Sequence, residues 1–138
     1  MTVEEISAQI IEEFSVFDEW LDKYEYLIEL GRQLPAIAPE AKTPENLIEG
    51  CQSRVWLDCS ERDGKLRFSA DSDAIITKGI IALLIRVFDS QAPADIIAAD
   101  LSFIDAIGLR DNLSPTRANG LTAMITKIKA YAAAFLQK

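Results

Sequence analysis

The chemistry open to this sequence centres on two thiols, Cys51 and Cys59, because the chain contains no histidine. That absence removes the Ser-His and Cys-His nucleophile pairs and every site that needs an imidazole ligand. Two cysteines are too few for a Cys₃ or Cys₄ metal set, so no metal site is expected. A thiol, carboxylates and bases are what remain. Cys51 stands in Gly50-Cys51-Gln52-Ser53-Arg54-Val55-Trp56, just ahead of a run that alternates like a strand. Loops beside a rigid sheet are where reactive groups are presented. Gly50 frees the backbone there, and Arg54 is near enough in sequence to help stabilise a thiolate, the reactive form of cysteine. The competing reading of Cys51 is a small buried hydrophobe, the commoner role of a free cysteine. Cys59 serves as a control: it shares strand parity with Val55 and Leu57, so packing accounts for it, and a reduced compartment argues against a Cys51–Cys59 disulfide.

The elements that position these residues follow from periodicity. Val55, Leu57 and Cys59 alternate with Arg54, Trp56 and Asp58, and Leu66, Phe68 and Ala70 alternate with Lys65, Arg67 and Ser69. Two such runs around Asp63-Gly64 predict a β-hairpin. Trp56, on the opposite parity, either packs under helices on the second face of the sheet or forms partner surface. The rest reads as helix. Val3, Ile6, Ile10, Phe14 and Phe17 form one apolar stripe. A second helix, capped by Asp18, carries Leu21, Tyr24, Leu27, Ile28 and Leu30 and stops at Gly31 or Leu34-Pro35. Thr43-Pro44 starts a single helical turn. Asp71-Ser72-Asp73 is expected to cap a long apolar helix ending near Phe88, with Lys78 and Arg86 on its wet edge. A short helix begins at Pro93, another runs from Leu101 to Ile107 and is stopped by Gly108, and Ser114-Pro115 opens the C-terminal helix. These elements predict an α+β fold, a small antiparallel sheet packed against several helices. No linker divides residues 1–138, so one domain is expected.

Composition narrows the class further. Of 138 residues, 49% are hydrophobic and 26% charged, the balance of a globular domain. The formal net charge of −8 is uneven: residues 1–50 hold 12 acids and 3 bases, residues 51–138 hold 10 and 11. A nucleic-acid binder needs a net positive field, which argues against that class. The acidic first third is a solvated helix surface or a means of steering a basic partner. No apolar stretch approaches membrane-spanning length, and the N-terminus carries acids where a signal or transit peptide carries bases. A cytoplasmic protein is expected.

Four blocks, 27–35 (LIELGRQLP), 47–56 (LIEGCQSRVW), 70–84 (ADSDAIITKGIIALL) and 113–132 (LSPTRANGLTAMITKIKAYA), together resemble the SufE family in order and spacing. The related CsdE proteins share these blocks. The resemblance implies a SufE/IscU-like fold and a sulfur-accepting cysteine at Cys51. Gly50, Gln52, Ser53, Val55 and Trp56 match the motif around it, and Arg54 fills its variable position. It also implies that Asp73 lies near the cysteine loop and modulates its exposure, and that Arg117, in the Ser-Pro-Thr-Arg segment, lies close to the same surface. The three cysteines of an IscU-type scaffold are absent, so scaffolding is not implied.

The function implied is sulfur relay. A persulfide sulfur would pass from a pyridoxal-phosphate-dependent cysteine desulfurase, of the SufS or CsdA type, onto Cys51, stimulating that enzyme and feeding iron–sulfur cluster assembly through a scaffold or other downstream acceptor. Such a chain is an accessory persulfide carrier rather than a stand-alone enzyme. It needs no cofactor of its own, because the pyridoxal phosphate belongs to the partner. No nucleic acid and no membrane enters this role. The reading from another class is a non-catalytic acidic interaction module with inert cysteines.

Overall fold

The computed structural model describes residues 1–35, 37–49 and 53–137. Helix α1 (Val3–Ser15) opens on a reciprocal cap: Thr2 Oγ1 accepts from the Glu5 N–H while the Glu5 carboxylate accepts from the Thr2 N–H. This Thr-x-x-Glu box satisfies two of the orphan donors of the first turn. Helix α2 (Trp20–Gln33) follows with Glu19, not Asp18, at its N-cap, and no side chain caps it. The predicted Asp18 cap is therefore incorrect. Short 3₁₀ turns at Pro39–Ala41 and Pro44–Asn46 carry the chain across the molecule to the hairpin.

Strands β1 (Val55–Arg62) and β2 (Lys65–Ser72) pair antiparallel from Val55↔Ser72 to Arg62↔Lys65. Only Asp63 and Gly64 remain for the turn, and their φ values of 54° and 79° are the left-handed pair that lets a two-residue turn match strand twist. Val55, Leu57, Leu66 and Ala70 are fully buried, which bears out the predicted inward parity.

Helix α3 (Ile75–Phe88) is the central helix, with ten of its residues buried and neighbours in α1, α2, β2 and α6. Its crossing with α2 is close because both helices present glycine. A Cβ on Gly79 would stand 2.3 Å from the Leu27 carbonyl oxygen, and one on Gly31 would stand 2.9 Å from the Gly79 nitrogen. Helices α4 (Pro93–Ile97) and α5 (Ser102–Ala106) lead to α6 (Pro115–Leu136), where Ser114 Oγ accepts from the Arg117 N–H as the sequence predicts. Gly108 takes φ 76° after α5, the left-handed stop expected of it. Helices packed on a two-stranded antiparallel sheet make the fold α+β.

Two predicted roles in and beside α3 are corrected. Asp71 and Ser72 belong to β2, and α3 begins after Ala74 with no side-chain cap, so Asp71-Ser72-Asp73 does not form a helix start. Arg86 is not on a wet edge. It is half-buried and forms an ion pair with Glu13 of α1, with Gln9 Oε1 at 3.3 Å and the Tyr26 hydroxyl donating to the same carboxylate. Several backbone groups that point outward from the hairpin are occupied too. Leu66 exchanges two bonds with Ser90 and Gln91, the Val55 carbonyl accepts from Ile48, and the Phe68 N–H donates to Asp89.

Candidate functional site

Gly50, Cys51 and Gln52 lie outside the described residues, so the site is built from what flanks them. On the upstream side, Leu47 forms a β-bridge with Trp56, and the Ile48 N–H donates to the Val55 carbonyl at 2.8 Å. On the downstream side, the Arg54 N–H donates to Asp73 Oδ1 at 3.0 Å, and the Asp73 N–H donates back to the Arg54 carbonyl at 3.2 Å. The segment carrying Cys51 in the sequence is thus tied on one side to the first residue of β1 and on the other to the residue after β2.

Two further clusters fix the surroundings of these ties. The Tyr131 hydroxyl of α6 is within hydrogen-bonding distance of Asn46 Oδ1 at 2.8 Å and of the Leu57 carbonyl at 2.9 Å. One phenol therefore joins α6, the Pro44–Asn46 turn and β1. On the other face of the sheet, Asp71 receives Lys42 at 2.7 Å and Lys78 at 3.4 Å. Burial raises the Asp71 pKa, but the Lys42 hydrogen bond, the Ser72 N–H and the charge of Lys78 outweigh it and hold the carboxyl below its ordinary range. Lys42 Nζ also sits 5.1 Å from the centre of the Trp56 ring, a cation–π contact. Trp56 is half-buried, in contact with the segment that crosses to the hairpin through Lys42 and Leu47.

Of the other predicted site residues, Arg54 and Asp73 meet, but through backbone atoms and one carboxylate; the Arg54 side chain is exposed. Ser53 is half-buried. Arg117 is exposed in the first turn of α6; its backbone N–H donates to the capping Ser114, and among the described residues its side chain makes no hydrogen bond or ion pair. It forms no ion pair with Asp73. Cys59 has the expected parity and packs against the core but is half-buried, its Sγ 3.9 Å from the Ser60 carbonyl. Burial, followed by the charges of Asp58, Asp89 and Glu61, pushes its pKa up to about 12. Sequence reading missed Lys42, Asp71 as an ion-pair centre, and Tyr131 as a polar tie. Two of these signals were visible: Asp71 continues the alternation of β2, and a helical tyrosine on an apolar stripe needs a partner for its hydroxyl when buried.

Comparison with known proteins places this geometry. Residues 8–132 match the family model SufE, described as an Fe-S metabolism associated domain. An uncharacterized SufE-like protein of Rhizobium meliloti (strain 1021) is 41% identical over 129 residues, spanning 90% of this chain and 92% of that one. An uncharacterized SufE-like protein of Rhizobium etli is 40% identical over 126 residues, spanning 88% and 85%. The fold is shared with a hypothetical protein from Thermus thermophilus known by its solution structure, at a TM-score of 0.80 and 21% identity over 96% of this chain and 97% of that one.

Proposed function

The chain belongs to the SufE family, associated with Fe–S metabolism, and from that premise we propose that it is a persulfide relay whose acceptor is Cys51. The observation that carries this reading is the family match itself, which runs through residues 8–132 and so takes in segment 50–56. The ties at Ile48–Val55 and Arg54–Asp73 support it, because they anchor a short chain segment on a rigid hairpin, the arrangement that presents a reactive side chain.

In this reading the Cys51 thiolate attacks the outer sulfur of a persulfide on a partner cysteine desulfurase. The donor S–S bond breaks, the donor cysteine leaves as a thiolate, and a new S–S bond forms on Cys51 with no net change in oxidation, a form of thiol–disulfide exchange. The desulfurase, with its own pyridoxal phosphate, is freed for another turnover, and the sulfur moves on to cluster assembly. The step asks this chain for one accessible thiol and a docking surface. Cys59, with its pKa near 12, stays a neutral thiol and does not strip the new persulfide as sulfide. Arg54 and Arg117 are the cations offered to the thiolate or the partner, and Asp73, through its bonds to Arg54, sets the downstream end of the segment.

The test is desulfurase stimulation together with intact-mass measurement. Wild type should stimulate turnover and gain one sulfur in the presence of cysteine. Cys51→Ser should lose both properties, while Cys59→Ser should keep most of each. Equal loss from the two changes would replace a single acceptor with a cysteine pair.

A further inference from the structure

An open groove of about 600 Å³ runs between residues 44–49 and one face of α6. Its lining pairs Leu47 and Ile48 on the chain side with Ala123 and Ala130 on the helix side, and it includes Glu49, the last described residue before Cys51. We propose that this groove docks a short segment of the sulfur donor, an apolar side chain followed by a lysine or arginine. The proposal rests on the relay reading and names the surface that the reading requires.

Charge decides the second half of that occupant. Among the described residues the groove holds one cation, Lys127, whose Nζ donates to the Glu45 carbonyl at 3.2 Å and lies 5.2 Å from the centre of the Tyr131 ring. The carboxylates of Glu45 and Glu49 are exposed, and neither has an ion-pair partner among the described residues. With two carboxylates against this one ammonium, the described rim is net negative, in line with the excess of 12 acids over 3 bases in residues 1–50. An acidic rim over an apolar floor recruits a cation beside an apolar anchor and rejects an acidic segment. Position supplies the other half. A segment seated here lies against the chain that leads directly into the acceptor cysteine, so the donor is held beside the residue it must reach.

Thr126 is an exposed residue of α6 facing this groove, and its hydroxyl bonds only within the helix, to the Thr122 carbonyl at 2.9 Å. Thr126→Trp fills the groove without entering the core, and Glu49→Lys reverses the rim charge. Stimulation of the source organism's cysteine desulfurase should be titrated with each purified variant, beside wild type, Thr126→Ala and Cys51→Ser, after circular dichroism shows equal helicity. Thr126→Trp and Glu49→Lys should each need roughly tenfold more protein for half-maximal stimulation, as expected for loss of a central anchor. Both should approach the wild-type plateau, and Thr126→Ala should titrate within about twofold of wild type. Half-maximal points unchanged in both Thr126→Trp and Glu49→Lys, with Cys51→Ser inactive, would overturn the groove and leave the relay standing. Stimulation by Cys51→Ser equal to wild type would overturn the relay and the groove together.

Discussion

At the scale of single residues, the contrast between the two cysteines is the most informative feature. Cys59 is half-sheltered and surrounded by Asp58, Glu61 and Asp89, so the fold favours its neutral form and raises its pKa from 9.0 to about 12. A raised thiol pKa contributes stability that is fully present below pH 9 and is lost as the pH climbs toward 12. Iodoacetamide at about pH 8, followed by peptide mass analysis, should label Cys59 roughly 1000-fold more slowly in the native chain than in urea, because alkylation follows the thiolate fraction. Native labelling at the unfolded rate would show that this thiol is ionised as readily as a free one. Asp73 makes a related point. Its type suggested a helix cap, and the family resemblance implied a place near the cysteine segment. In the structure the carboxylate accepts the Arg54 N–H, so it joins the two ends of the hairpin instead of starting α3.

At the scale of elements, the α2–α3 crossing depends on the absence of two Cβ atoms. Gly79→Ala improves helix propensity by about 1 kcal/mol, yet it places a carbon 2.3 Å from the Leu27 carbonyl, a backbone atom that cannot turn aside. The steric cost should prevail, giving a net loss of about 1–3 kcal/mol in urea unfolding. A neutral or stabilising result would mean that the two helices can part without cost. Most elements were legible in the sequence because each carries its own local signal. Asp-Gly marked the hairpin turn, Ser114-Pro115 marked the start of α6, and alternation marked the strand faces. What the sequence left hidden was pairing over long separation. Nothing local joins Arg86 to Glu13, Lys42 to Asp71, or Tyr131 to Leu57, since each pair exists only once the packing of the helices and sheet has brought distant positions together.

At the scale of the whole molecule, the first two helices hold most of the acidic excess, and one of those acids fastens α1 to α3. The Arg86 hydrogen bonds lower the Glu13 pKa, against the opposing effect of burial and with help from Tyr26. A lowered carboxylate pKa supplies stability present above the unfolded value of 4.5 and lost as the pH falls below it. Both side chains are about 30% exposed, which screens the pair and keeps its worth near ~1 kcal/mol. Glu13→Gln should therefore lower the urea midpoint at about pH 7 and narrow the gap to wild type by about pH 3. A constant gap across that range would assign the loss to packing. Among the described residues no helix is long and apolar enough to cross a membrane.

The hairpin described above has a last consequence. With two strands, each strand is an outer one, and an outer strand with idle amides is a template on which another chain can polymerise. Here the Ile48–Val55 bond, the hydroxyl of Tyr131, and the Asp89 and Gln91 acceptors occupy that template from both sides. Part of each outer edge of this smallest possible sheet is thereby unavailable to a strand from another copy.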